Sequence, residues 1–268
     1  MKYHHLYKKN QEKLQRSANQ SSLDKRSKLE IFLEKHNSQE ITENMILEEE
    51  KILSFKGKSH NDNLKSLQDT DIYSEIGDFS LTYKDIKKLY PRKWINDQII
   101  NSYLKLLQPE PNAFILDTYF YQTIQTMAEQ GWDISKLTRI IARYGIYNFS
   151  KVPLIVFPVN IKQAHWVTIC INNIDQVIEY YDSFKSQNFE NVCVLIESFL
   201  ENIGIGKYDW HEMETPIQEY AYDSGIFVIK TIQAVAFNKD FFFCSQDMEF
   251  YRKVMMLELK HGKVFVDS

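Results

Sequence analysis

The chain has 268 residues, 44% of them apolar and 25% charged; that apolar share excludes a disordered chain, and no run of about 18 apolar residues is present to span a bilayer. Its formal charge of −4 is unevenly divided, because residues 1–40 hold 9 Lys and Arg against 5 Asp and Glu while the remainder holds 23 against 31, and an acidic body speaks against nucleic acid as a partner of the folded domain. The three cysteines, Cys170, Cys193 and Cys244, fall in no Cys-x-x-Cys or Cys/His pattern, so they support neither a disulfide framework nor a zinc site and read as packing residues.

Residues 1–40 read as a basic, polar extension, loosely helical or disordered, with Leu29, Ile31, Phe32 and Leu33 as a short apolar cluster. Residues 1–20 lack the apolar centre of a secretory signal, and an intracellular protein is expected. The main unit is expected to run from 41 to 268. Its first element is an amphipathic helix, started at Thr42 and carrying Met45, Ile46, Glu49, Ile52 and Leu53, followed by a polar loop over 57–69. Thr82 starts a short helix that must end at Pro91, because proline biases the residue before it away from the helical region. Asn96 or Asp97 then caps a helix with Ile99, Ile100, Tyr103, Leu104 and Leu107 on one face. Helices over 117–130 and 133–144 follow. Segments 153–159, 166–172 and 176–182 are rich in Val, Ile and Tyr and read as strands. A helix near 189–203, a strand near 208–213, a helix from 224 to about 237 and a last helix over 246–261 complete the order. Helices around a small central sheet make the fold α+β, without internal repeats.

His165 precedes one predicted strand and Asp182 ends the next. With a turn over 172–175, antiparallel partners across this hairpin have a constant index sum that sets His165 directly opposite Asp182. A carboxylate there can accept an imidazole N–H, fix its tautomer and stabilise its protonated form. The segment Gln218-Glu-Tyr-Ala-Tyr-Asp223-Ser224-Gly225 leads straight into an apolar helix. A nucleophile at a helix N-terminus feels the positive end of the helix dipole, and Gln218 can offer a side-chain N–H to a developing oxyanion. Gly225, one of only eight glycines, permits close backbone approach beside Ser224. Other motifs carry no chemistry: His211-Glu-Met-Glu lacks the second histidine of a zinc protease helix, Gly204-Ile-Gly206 is too short for a phosphate loop, and no Gly-x-Ser-x-Gly elbow is present.

Several blocks together resemble the SUMO-specific cysteine proteases of the SENP/Ulp family. Leu81-Thr-Tyr-Lys-Asp-Ile is similar to the family's entry segment, and Trp94-Ile-Asn-Asp-Gln-Ile-Ile-Asn to its W-L-N-D-x-I-I-N. Pro158-Val159 with His165-Trp166, Tyr180-Tyr-Asp182-Ser, and Pro216-Ile-Gln218 with Ser224-Gly225 resemble P-[IV]-x5-H-W, Y-Y-D-S and P-Q-Q-x5-C-G, and Phe250-Tyr-Arg-Lys-Val-Met matches the final helix. The resemblance covers roughly residues 41–264. It implies a papain-like domain with a small mixed sheet, working without a cofactor or metal and as a monomer, off the membrane and in the nucleus or at the nuclear envelope.

It further implies hydrolysis after the C-terminal Gly-Gly of SUMO, both in precursor maturation and in removal from lysine. By resemblance His165, Asp182, Gln218 and position 224 are catalytic, Trp94 and Trp166 form a narrow clamp over Gly-Gly, and Asp97 is a polar contact to SUMO that competes with a capping role. Flat aromatic walls that admit only residues without side chains select glycine sterically. Trp132 and Trp210 have no such context and read as structural. The departure is Ser224, where the family has its catalytic cysteine. Two readings follow: an inactivated, active-site-mutant form of a cysteine protease, or a natural serine-bearing pseudoprotease that binds SUMO without cutting it. A protease for the neddylation modifier, which shares these motifs, and an acyltransferase using the same triad are the remaining alternatives.

Overall fold

The structure is a computed structural model that describes residues 33, 41–54, 68–107 and 113–265. The expected extension, Leu33 apart, and most of the expected loop over 57–69 lie outside the described residues.

In chain order the elements are α1 (Glu43–Ser54), β1 (Ile72–Ile76), β2 (Phe79–Thr82), α2 (Tyr83–Ile86), a 3-10 turn (Lys87–Leu89), α3 (Asp97–Leu106), β3 (Ala113–Ile115), α4 (Tyr119–Gln130), α5 (Ile134–Arg143), a second 3-10 turn (Phe149–Lys151), β4 (Leu154–Ile161), β5 (His165–Asn172), β6 (Val177–Tyr181), α6 (Phe189–Asn202), β7 (Asp209–Met213), a third 3-10 turn (Ala221–Asp223), α7 (Ser224–Ala236), a fourth (Ser245–Asp247) and α8 (Met248–His261). They fall into two units. One holds the described residues up to Leu107 together with those from Phe242, and the other holds the residues between those limits.

In the first unit, Thr82 both ends β2 and starts α2 through a reciprocal capping box. Its hydroxyl accepts from Asp85 N at 3.3 Å, and the Asp85 carboxylate accepts from Thr82 N at 3.2 Å. Asn96, with its side chain accepting from Ile99 N at 3.3 Å, is the cap of α3, so Asp97 is the first helical residue. The apolar stripe of α3 is buried, and within it the Tyr103 hydroxyl donates to Glu258 of α8 at 2.7 Å. The β1–β2 hairpin is an addition to the expected elements. Its two-residue turn begins with Gly77 at φ +57°, a conformation that favours glycine.

The second unit is built on a five-stranded mixed sheet in the order β3-β4-β5-β6-β7, with the central pairs antiparallel and both edge pairs parallel. β3, three residues long, was not expected from sequence. On one face Phe120 of α4 meets both Phe157 of β4 and Phe199 of α6, with ring centroids 5.0 Å and 5.5 Å away. On the other face lies α7, buried at nearly every position, with the Thr168 hydroxyl of β5 donating to Val228 O at 3.4 Å. Coverage on both faces explains why β4 and β5 read as nearly continuous apolar runs without the alternation of a half-exposed sheet.

The β5–β6 register corrects one expectation. The pairs run from Thr168 opposite Tyr181 to Asn172 opposite Val177, so the turn occupies 173–176 and Asp182, extended on that register, faces residue 167 and not His165. The cause is the Asn172 side chain. Its Oδ1 accepts from Ile174 N and Asp175 N, both at 3.1 Å, and Gln176 closes the turn at φ +55°. Asn172→Ala removes the one acceptor of both bonds and is expected to cost about 1–2 kcal/mol. A lower denaturant midpoint at unchanged slope is the signature, and an unchanged midpoint would contradict this account of the turn.

Candidate active site

The β4–β5 connection sets the position of His165. Ala164 N donates to Ile161 O at 3.0 Å across a tight turn in which Lys162 and Gln163 both take positive φ, at 51° and 58°. Non-glycine residues hold that conformation only where the surroundings impose it. His165 is therefore delivered as the first residue of β5, and Asp182 follows the last residue of β6. Although two residues out of direct register, the pair meets on the diagonal, with His165 Nε2 and Asp182 Oδ1 2.7 Å apart.

The carboxylate is 2% exposed and saturated with donors. Oδ1 also accepts from Phe184 N at 2.8 Å, and Oδ2 accepts from Ser186 N at 2.7 Å and Ser186 Oγ at 2.5 Å. Burial by itself raises a carboxyl pKa. Here the hydrogen bonds from His165, Ser186 and Phe184 N and the charge of His165 outweigh it, lowering Asp182 from 3.8 to about 2. An ionised Asp182 accepts only, so Nε2 carries the proton and Nδ1 is the imidazole nitrogen left to exchange one. The Phe184 ring lies 5.9 Å from the imidazole.

Ser183 extends the same strand end in a second direction. Its Oγ donates to Gln218 Oε1 at 2.6 Å, and its carbonyl accepts from Gln218 N at 2.9 Å. Gln218 Nε2 donates to Tyr220 O at 2.9 Å. The carboxamide is buried and oriented, with one Nε2 N–H beyond the bond to Tyr220. Ser224 opens α7 as a fully buried residue, and its Oγ has no hydrogen-bond partner among the described residues. The positive end of the α7 dipole and the backbone N–H groups that open the helix favour an anion at that position.

A cavity of about 280 Å³ borders both His165 and Gln218, so the structure brings His165, Asp182 and Gln218 to one locality. Trp166, beside His165 on β5, is 5% exposed. Trp94, 47% exposed, and Asp97 belong to the other unit, at the approach to α3 and in its first turn. Trp132 and Trp210 pack against the apolar core of the second unit. Among the described residues no helix is long and apolar enough to cross a membrane.

Ser183, Phe184 and Ser186 were not anticipated as parts of the site; their local cue is the serine-bearing turn that directly follows Asp182. Ser186→Ala removes a charge-assisted bond and is expected to destabilise the protein by about 2 kcal/mol at neutral pH. With the folded-state pKa of Asp182 raised, acid unfolding should begin at a higher pH than in the parent. An acid transition that does not move would remove Ser186 from this role.

Residues 93–262 match the Ulp1 protease family, C-terminal catalytic domain, and the chain belongs to that family. It is 27% identical over 191 residues to Ubiquitin-like-specific protease 1A of Arabidopsis thaliana, covering 64% of this chain and 38% of that protein. To Ubiquitin-like-specific protease 1 of Saccharomyces cerevisiae it is 28% identical over 177 residues, covering 62% and 27%. To human Sentrin-specific protease 2 it is 25% identical over 212 residues, covering 72% and 34%. The matched region is thus only a minor part of each of these relatives. Among solved structures, the C-terminal Ulp1 protease domain in complex with Smt3, the yeast ortholog of SUMO, superposes with a TM-score of 0.68 at 21% identity, over 84% of this chain and 97% of that domain. The SUMO protease Ulp1 with its catalytic cysteine oxidised to a sulfinic acid gives a TM-score of 0.65 at 21% identity, over the same shares. The fold is that of the Ulp1 protease domain, a mixed sheet flanked by helices.

Proposed function

We propose that this chain is the catalytic part of a SUMO protease in which Ser224 occupies the place of the catalytic cysteine. With cysteine there, it hydrolyses the bond after the C-terminal Gly-Gly of SUMO, in precursors and in isopeptides to lysine. The observation that carries this reading is the 2.7 Å contact between His165 and a buried, ionised Asp182. The buried, partnerless hydroxyl of Ser224 supports the substitution itself: an unpaired buried hydroxyl costs free energy, whereas sulfur bonds weakly and sits in such a place at smaller cost.

In the proposed reaction His165 Nδ1 takes the thiol proton, and the thiolate attacks the glycine carbonyl. The Gln218 side-chain N–H and the backbone N–H of residue 224 receive the oxyanion. His165 then protonates the departing amine, leaving a thioester that water hydrolyses with His165 as base. Trp94 and Trp166 clamp the Gly-Gly, and Asp97 contacts the modifier. The protease domain spans 41–268, with residues 1–40 as an extension; the protein acts as a monomer without a cofactor, and the nucleus is its compartment. Serine at 224 makes the chain as it stands inactive or nearly so. A pseudoprotease that holds SUMO is the second reading, favoured by Ser224 alone. Ser224→Cys tested against C-terminal reporters of SUMO, the neddylation modifier and ubiquitin separates these readings: SUMO cleavage is expected, and cleavage of none of the three would leave a binding protein.

A further inference from the structure

The cavity beside His165 has walls that the catalytic steps do not use. Ile161, Ala164, Phe184 and Ala221 line it together with His165 and Gln218; Lys162, Ser186 and Asn188 complete the border, and the surface turned into the cavity is nearly all apolar. Phe184 stands at its mouth, 53% exposed, while Ile161 is 8% exposed. At about 280 Å³ it lies at the small end of ligand pockets, a space for one side chain and not for a stretch of peptide. Its place follows from the chemistry of its border. His165 must hand a proton to the departing nitrogen, so whatever that nitrogen carries passes the imidazole as it leaves, and the space against the imidazole is apolar.

We infer that this cavity is a leaving-side specificity pocket that takes an apolar group carried by the scissile nitrogen. Two substrates offer that chemistry: the methylene stem of a lysine in an isopeptide, and an apolar side chain on the residue following Gly-Gly in a precursor. The inference rests on the protease reading of the same site. Both partners are aliphatic or aromatic, so the gain comes from surface removed from water and favours larger apolar groups over glycine and over aspartate.

The test uses Ser224→Cys protein and SUMO fusions that differ only in the residue after Gly-Gly: glycine, leucine or aspartate. A parallel series joins SUMO through an isopeptide to lysine or to diaminopropionate, which has one methylene in place of four. Leucine is expected to exceed glycine by about tenfold in kcat/KM, with aspartate below glycine, and lysine to exceed diaminopropionate by a similar factor. A preference in one series alone supports the pocket and assigns its source. Ala164→Leu, which fills the cavity, should bring the leucine-to-glycine ratio to about one. Equal rates throughout both series overturn the inference and leave the protease reading intact. Should Ser224→Cys cleave nothing, the protease reading falls, and the affinity of the Ser224 chain for the uncut fusions decides the pocket: tighter binding of the leucine fusion supports it, and equal binding overturns it.

Discussion

Replacing Ser224 with cysteine is expected to raise kcat/KM on a SUMO C-terminal reporter by roughly three orders of magnitude or more over the serine chain. A serine hydroxyl in this setting needs a base matched to a far weaker acid, and its attack depends on removing the proton in step with bond formation. A thiol at the start of α7, at the positive end of the helix dipole and, in the proposed reaction, served by the imidazole as base, ionises before the attack and is intrinsically the better nucleophile. The surrounding parts change little. Asp182 keeps its donors, Gln218 keeps its bonds to Ser183 and Tyr220, and the two side chains are close in shape. Stability should hold or rise by about 1 kcal/mol, since the partnerless buried hydroxyl is removed. Single-turnover kinetics and thermal melts on the same preparations check both halves. A cysteine variant that folds but shows no gain would eliminate the inactivated-protease reading.

Asp182→Ala in the Ser224→Cys background is expected to lower kcat/KM by about 10²- to 10⁴-fold, because the imidazole loses the acceptor that fixes its tautomer and orientation. Stability should fall as well, since the N–H groups of Phe184 and Ser186 and the Ser186 hydroxyl lose their acceptor. The pH dependence has a definite sign. The Asp182 pKa is lower in the folded protein, about 2 against 3.8, so the unfolded state binds the proton more readily. The resulting stabilisation, about 2 kcal/mol, is fully present above about pH 4 and disappears as pH falls toward 2. The alanine variant lacks that contribution, so the gap between the two stability curves should stay constant above about pH 4 and close as pH falls from about 4 toward 2. Parallel curves across that range would mean that Asp182 is not held as the geometry indicates.

Most of the architecture was legible because its signals are local. Pro91 and Thr82 delimit their helices by backbone chemistry, and the apolar run after Ser224 is a helix buried on all sides. The pairing of His165 with Asp182 was legible in part. His165 and Asp182 do meet, but the register that joins them is set by the Asn172 side chain and the left-handed Gln176, which move the turn one residue along and shift every cross-strand partner by two. β1 and β2 are short, their apolar residues interrupted by Ser74, Glu75, Ser80 and Thr82, with Gly77-Asp78 as the local cue to their turn, and β3 is defined by its parallel pairing with β4. The link from Ser183 to Gln218 spans 35 positions. Nothing in either neighbourhood announces it, since a long-range polar contact leaves no periodicity.

That link makes the end of β6 serve two masters. Asp182 holds the imidazole, and the next residue grips Gln218 twice, its hydroxyl on the carboxamide oxygen and its carbonyl on the backbone N–H. In the proposed reaction the arm that handles protons and the arm that receives charge are therefore branches of one stem. A drift of the strand tip displaces them in concert, so neither can be retuned in isolation, and a change confined to position 224 leaves the whole apparatus standing, cocked around an empty trigger.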